Sequence, residues 1–358
     1  MKIPTEVLQT AVKKVYPFVA QKSTIPIYMH FLLDARDGTL VISGSDFEGS
    51  CRWDTGIASD SDPLYATVHA KIFHDDILGI NESEIDLYAE KNKVVVKTSR
   101  HRARIDSLPG DEYLHPALLT GLHEVDGRIL DAMERCAIAV KPKKTPAILT
   151  GVHLRVANRQ IQAFGTDGVR AGKYEVVFDD DAEFQITLPK KMASIIAKNA
   201  RNDGPLRFWT NESTVAFSTD SAVFTSQLLD GNYPEVWSFF DRDRTGYEQI
   251  QVDGSALADA LNRAMVFITK SDGYVLFTTT KNALTISATA HDRGVGEVEI
   301  DAQCDVETDF ALNAQFLYDF VRLLKKEQVI LSVRGTLELL YLNGLDNFQY
   351  VMMPMYVR

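Results

Sequence analysis

The side chains able to do covalent chemistry are present but scattered. Cys51, Cys136 and Cys304 are odd in number and far apart, so neither a disulfide framework nor a zinc knuckle is expected, and a reducing, cytoplasmic setting fits. The eight histidines make no HExxH pattern, and neither a GxSxG elbow nor a kinase motif set occurs. The run Gly165-Thr166-Asp167-Gly168-Val169-Arg170-Ala171-Gly172-Lys173-Tyr174 has the look of a phosphate loop. Its glycine spacing is wrong, however, and tyrosine stands where a magnesium-binding hydroxyl is needed. Gly294-Val295-Gly296 lacks the third glycine of a dinucleotide site. His69, His74 and Asp75 fit one exposed helix face better than a metal site, and Asp179-Asp180-Asp181 reads as a solvated turn. No catalytic residue, metal or cofactor is expected.

What remains is the placement of charge. The 358 residues carry 38 basic and 49 acidic side chains, a net charge of −11, with a pI near 5.3. Six helices read from apolar periodicity, near 4–20, 69–80, 126–140, 189–200, 254–268 and 312–326, sum to +4 and leave −15 for everything else. An acidic protein with relatively basic helices can turn those helices toward a polyanion. Lysine on a helix surface is also an ordinary solvated stem.

The helices sit in a repeat. An apolar strand entering a small-residue turn recurs as Leu40-Val41-Ile42-Ser43-Gly44, Ile161-Gln162-Ala163-Phe164-Gly165 and Leu284-Thr285-Ile286-Ser287-Ala288, the last residues 121 and 123 positions apart. A short helix centred on Phe73, Met192 and Phe316 and an alternating strand ending at Leu108, Leu229 and Met353 recur in the same order. Such a period implies a threefold structural unit. Joints near 115–123 and 240–247 divide the chain into 1–116, 117–241 and 242–358. Each third reads as helix, strands, helix, strands, an α+β grammar. The hydrophobic fraction of 45% fits a folded globular chain. With no apolar run of 18 residues and a polar opening, neither a membrane span nor a secretory signal is expected.

Several segments together resemble one family along the whole length. These are Ser23-Thr24-Ile25-Pro26-Ile27, Gly44-Ser45-Asp46, Leu149-Thr150-Gly151-Val152, Thr166-Asp167-Gly168-Val169-Arg170, Asp230-Gly231-Asn232-Tyr233-Pro234 and Tyr350-Val351-Met352-Met353-Pro354-Met355. The chain resembles the bacterial replicative sliding clamps, the beta subunit of DNA polymerase III. That resemblance implies three repeated domains of the clamp fold, each with two inner helices and outer antiparallel sheets, in a ring-forming homodimer. Geometry agrees with two chains rather than one. Helices ~10 Å wide give a bore of ~9 Å for six and ~28 Å for twelve, against a duplex ~20 Å thick as groove depths imply.

The implied function is topological: a processivity factor that encircles duplex DNA without reading sequence. It would tether the replicative DNA polymerase and recruit the clamp-loader ATPase complex, repair polymerases and mismatch-repair proteins. The resemblance places Lys22 and Lys143 at a DNA-facing rim, and helix polarity adds Lys13, Lys14, Lys190, Lys191, Lys198 and Arg201. A hydrophobic peptide pocket is implied at Leu149, Thr166, Gly168, Val169, Arg170, Pro234, Asn313, Phe316, Met353, Pro354 and Met355, where methionine adapts to varied side chains. A dimer contact is implied at Ala103, Ile105, Val266 and Phe267. Val169, Ser238, Phe316, Ala103 and the tail Tyr356-Val357-Arg358 depart from the commonest family residues. An enzyme built from scattered residues, a scaffold that does not load onto DNA, and an accessory or phage-type clamp are the competing readings.

Overall fold

The computed structural model describes residues 1–59, 63–113, 122–141, 146–178, 182–268, 274–290, 294–324 and 327–356. Lys143, the Asp179-Asp180-Asp181 turn and the His115-Pro116 joint fall outside them. Six α-helices occur among these residues: α1 Thr5–Val15, α2 Ala70–Leu78, α3 Arg128–Ala137, α4 Lys190–Asn199, α5 Gly254–Met265 and α6 Ala314–Val321. Each lies inside its expected span and is shorter. α1 passes into the 3-10 turn Tyr16–Phe18 at Pro17, which has no N–H for a helical hydrogen bond. α5 begins where Asp253 accepts the Ala256 N–H at 2.9 Å, and α6 where Asn313 accepts the Phe316 N–H at 3.1 Å, each satisfying an orphan donor of the first turn. After Val321 the backbone tightens to three-residue hydrogen bonds, Leu323 N–H to Phe320 and Leu324 N–H to Val321.

The chain forms two compact units. One comprises Met1–Leu130 and Ser194–Leu228, the other Asp131–Ala193 and Leu229–Arg358. The first holds an antiparallel eight-stranded sheet in the order Tyr65–His69, His30–Asp34, Thr39–Ser45, Gly49–Ala58, Ala222–Gln227, Thr214–Ser218, Arg207–Thr210, His123–Glu124. It also holds a four-stranded sheet, Lys2–Pro4, Glu84–Glu90, Lys93–Lys97, Arg102–Asp106. The second unit carries twelve strands: Phe184–Pro189, Gly151–Ala157, Gln160–Thr166, Arg170–Val177, Phe348–Met352, Leu340–Leu345, Gln328–Val333, Glu248–Asp253, Gly294–Gln303, Ala283–Ala290, Tyr274–Thr280, Asp309–Asn313.

These units follow the sheets rather than the sequence thirds. Ala222 to Ser226 pair with Trp53 to Gly49, and Arg170 to Tyr174 pair with Met352 to Phe348, so each ladder joins strands from neighbouring repeats.

The recurring small residue has a packing cause. A Cβ on Gly44 would stand 2.7 Å from Val15 Cγ1 at the end of α1, and one on Gly165 would stand 2.1 Å from the Cys136 carbonyl oxygen of α3. Ala288, 3% exposed, sits on the strand that packs against α5. In the first two repeats the first helix comes onto the sheet too closely for a side chain at this point, and in the third the small Ala288 holds the corresponding place. α1 buries Leu8, Ala11, Val12 and Val15 completely at this contact.

Candidate peptide groove, cationic surface and strand edges

The second unit brings most of the expected pocket residues to one neighbourhood. Its centre is the turn Thr166–Arg170. Asp167 Oδ1 accepts the N–H groups of Val169 and Arg170 at 3.1 and 3.3 Å, the Thr166 hydroxyl donates to the Arg170 carbonyl at 2.7 Å, and Gly168 takes φ +84°. A turn that bonds its own backbone this way needs Asp and Gly at these positions. Gly168 and Val169 are left exposed at its tip. The C-terminal tail runs past it: the Met353 N–H donates to the Val169 carbonyl at 2.9 Å and the Met355 N–H to Ala311 at 2.8 Å.

Arg170 turns inward. Its Nε donates to Asp167 Oδ2 at 3.2 Å, and one terminal nitrogen donates to Asp319 at 3.1 Å and to the Tyr350 hydroxyl at 3.3 Å. The guanidinium carbon lies 3.8 Å from the centre of the Phe316 ring. Burial works against its charge, but Tyr350, Asp167 and Asp319 outweigh that and hold its pKa above the usual arginine value. Burial pushes the Tyr350 phenol up. Lys141 adds a second cation, 3.7 Å from Asp167 and 5.2 Å from the Phe316 ring centre.

On the strand leading to this turn, Phe164 joins Ile148, Tyr233 and Val236 in a buried apolar cluster, with Leu149, Leu229 and Trp237 packed against it. Pro234 is exposed beside it. The result is a buried apolar cluster with partly buried side chains packed on it, next to a fixed polar network. A cavity of about 220 Å³ lies beside the tail, lined by Leu276, Phe310, Ala311, Leu337, Met355 and Tyr356 among others, and includes only Met355 of the expected residues.

The cations expected to face DNA divide into two kinds. Lys13, Lys22, Lys191 and Lys198 are exposed and Arg201 is half-buried. Lys14 instead donates to the Asn199 carbonyl at 2.9 Å and lies 5.5 Å from the Trp53 ring centre. Burial lowers its pKa, with Asp203 pulling the other way. Lys190 donates to the Val140 carbonyl, and burial, reinforced by Arg170, lowers its pKa too. Both are structural ties first. Among the described residues no group of His, Cys, Asp and Glu is placed to hold a metal: His74 pairs with Asp75 at 2.9 Å and stacks on Tyr16, while His69 lies against His30.

Of the strands with an open edge among the described residues, Arg102–Asp106 and Gly294–Gln303 carry exposed charges of opposite sign. Arg102–Asp106 is the last strand of its four-stranded sheet. Gly294–Gln303 meets Glu248–Asp253 only through Ala302 and Gln303, leaving 294–301 paired on one side. Ala103 is half-buried and Ile105 buried on the first strand. Val266 is 65% exposed. Phe267 lies so close to the second strand that a Cβ on Gly296 would be 2.2 Å from its ring.

Three family models match in succession: the DNA polymerase III beta subunit N-terminal domain over residues 1–118, its central domain over 126–235 and its C-terminal domain over 244–356. The chain belongs to the DNA polymerase III beta subunit family. Similar relatives of the beta subunit include the beta sliding clamp of Haemophilus influenzae, 23% identical over 99% of this chain and 98% of the relative. That of Bacillus subtilis is 21% identical over 92% of each. The fold matches the beta subunit from Thermotoga maritima at TM-score 0.84 and 21% identity, covering 100% of this chain and 99% of that one. It also matches a Pseudomonas aeruginosa sliding clamp bound to griselimycin at 0.83 and 21%, with the same coverage.

In this chain, sequence reading missed Asp319, Tyr350 and the apolar set Phe164, Tyr233, Val236 and Trp237. Asp319 was accessible in principle, lying three residues after Phe316 on one helix face. The strand Gly294–Gln303 was missed as an edge because a free ladder leaves no mark in composition.

Proposed function

We propose that this chain works as a DNA sliding clamp: two copies close head to tail into a ring around duplex DNA and hold a DNA polymerase on it. The observation that carries the reading is the threefold clamp fold with two unfinished strand edges of opposite charge. Arg102 and Arg104 are exposed on one edge, Glu297, Glu299 and Asp301 on the other. Antiparallel pairing of the two edges satisfies the open backbone groups of both and sets opposite charges across the ladder. Ala103, Ile105, Val266 and Phe267 supply the apolar part of the contact.

Inside the ring, Lys13, Lys22, Lys143, Lys191, Lys198 and Arg201 make weak phosphate contacts that read no sequence and permit sliding, with Lys14 and Lys190 adding charge while bracing the helix ends. Retention is topological, so the acidic whole-chain balance is no obstacle. No chemical step is required of the protein. The three domains are taken as 1–116, 117–241 and 242–358, and the cytoplasm as the site of action.

The groove around Thr166–Arg170, Leu149, Pro234, Asn313, Phe316 and Met353–Met355 receives short hydrophobic peptides from polymerase, loader and repair proteins. A relative of this fold bound to griselimycin supports testing that compound here.

Light scattering at micromolar concentration, followed by loading onto circular and linear duplexes, tests the whole. The expected result is a dimer retained on circles and lost from linear DNA. A strict monomer, or equal loss from both, overturns it.

A further inference from the structure

The chain leaving the apolar groove carries a second feature. Trp237 packs on the groove cluster, its ring 5.7 Å from Phe164. Two residues later in the same 3-10 turn, at ~2 Å of rise per residue, Phe239 is exposed and the Arg242 guanidinium lies 4.9 Å from its ring centre. Phe240 is buried with Ala171, Tyr341 and Val351. The Tyr341 hydroxyl donates to the Phe239 carbonyl at 3.1 Å. Arg244 lies 4.4 Å from the Tyr341 ring centre and donates to the Phe240 carbonyl at 3.3 Å. Arg334 lies over Tyr247, which meets Tyr341 edge-on at 5.3 Å. Three guanidinium groups thus rest on adjoining aromatic faces at the end of the groove.

The local carboxylates are engaged by groups other than Arg242 and Arg244. Asp241 is 3.9 Å from Lys173, Asp243 accepts the N–H and hydroxyl of Thr245 at 2.9 and 2.7 Å, and Glu338 is 3.4 Å from Arg334. Among the described residues, Arg242 and Arg244 have no carboxylate partner. A guanidinium laid on a ring keeps its planar N–H edge available and loses less freedom on binding an anion.

We propose that Arg242 and Arg244 receive a carboxylate from the peptide whose apolar side chains occupy the groove, so that this chain selects hydrophobic peptides with an acidic flank. The inference rests on the peptide-groove reading and adds the class of partner segment. Exposed charge pairs at a rim are modest, so two of them correspond to roughly a three- to tenfold preference, largest at low salt.

Fluorescence anisotropy on the full chain tests it with peptides sharing a Leu-Phe core and flanked, on either side, by three Asp or three Asn. Griselimycin reports the groove itself. One Asp-flanked peptide is expected to bind about three- to tenfold tighter than its Asn counterpart. The double variant Arg242→Gln, Arg244→Gln is expected to abolish that preference while griselimycin still binds, and Arg→Lys at both positions to restore part of it. Equal binding of Asp and Asn peptides, or a preference surviving in the Gln variant, overturns the inference alone. Failure of both the peptides and griselimycin on the unaltered chain overturns the groove reading and the inference with it. If the Gln variant loses binding to single-stranded oligothymidylate but not the peptide preference, the patch is a nucleic-acid contact and the inference is wrong.

Discussion

Arg170 is the residue on which the candidate site turns. Its partner Asp167 is fully buried, and Arg170 itself is 6% exposed. Such a pair is costly to desolvate, and its removal by halves costs more than its presence contributes. It fixes the tip of the Thr166–Arg170 turn and, through Asp319 and Tyr350, ties that turn to α6 and the C-terminal strand. Asp167→Asn keeps the shape and removes the charge. Because Asp319 stays, the expected loss lies near the lower end of the range for a broken buried pair, about 3 kcal/mol. Denaturant unfolding measures it. An unchanged midpoint would show that the pair does not brace the turn. Legibility at this scale was uneven. Thr166, Gly168 and Arg170 stood out through the resemblance of their segment to the family, whereas Tyr350 and Trp237 are aromatic residues like any others until the neighbours are known.

At the scale of elements, the proposed assembly rests on the open edges of Arg102–Asp106 and Gly294–Gln303. Arg102 and Arg104 are already within 3.7 and 3.2 Å of Glu90 on their own sheet, so the edge is arranged but only partly neutralised. The variant Arg102→Glu, Arg104→Glu is expected to be monomeric, and so is Glu297→Arg, Glu299→Arg, because like charges then face each other across the ladder. Mixed in equal amounts, the two should recover a dimer, since both junctions of a head-to-tail ring regain opposite charges. Sedimentation velocity reads this directly. Recovery failing, with both variants folded, would remove these strands from the interface. Gly165 illustrates the opposite constraint inside an element. The Cys136 carbonyl 2.1 Å from a Cβ there is backbone and cannot rotate aside, whereas the Phe267 ring over Gly296 can.

For the whole molecule, the repeat also duplicates a buried histidine. His30 Nδ1 is 3.2 Å from the Thr67 hydroxyl in the first unit, and His153 Nδ1 is 2.9 Å from the Thr187 hydroxyl in the second. Burial lowers both to about 4, with His69 also acting on His30 and Arg155 on His153. An unfolded histidine titrates near 6.5, so the unfolded chain takes up protons first as pH falls. The stability held by neutral, buried histidines is complete above about pH 6.5 and is lost between there and about pH 4. Each residue accounts for roughly 3 kcal/mol over that window. Paired carboxylates such as Asp34 and Asp126 are held below their ordinary value and give way only at lower pH. Thermal unfolding from pH 7.5 to 4.5 should therefore decline steadily, and His153→Gln should flatten the decline for the second unit. A flat profile in the unaltered chain would contradict the burial argument.

The sequence by itself determined the six helices, because helical periodicity acts over a few residues, and the period with its recurring small residue, because one pattern is written three times along the chain. It also determined the family, because turn and tail segments with few tolerated residue types recur along the whole chain. Tertiary structure alone decided that sheets run from one repeat into the next and that Lys14 and Lys190 spend their charge on carbonyl groups. It alone decided that Asp319 and Tyr350 converge on Arg170 and that the arginines after Trp237 rest on aromatic rings. Each of those is a contact between residues distant in the chain, where composition constrains neither the partner nor the direction a side chain takes.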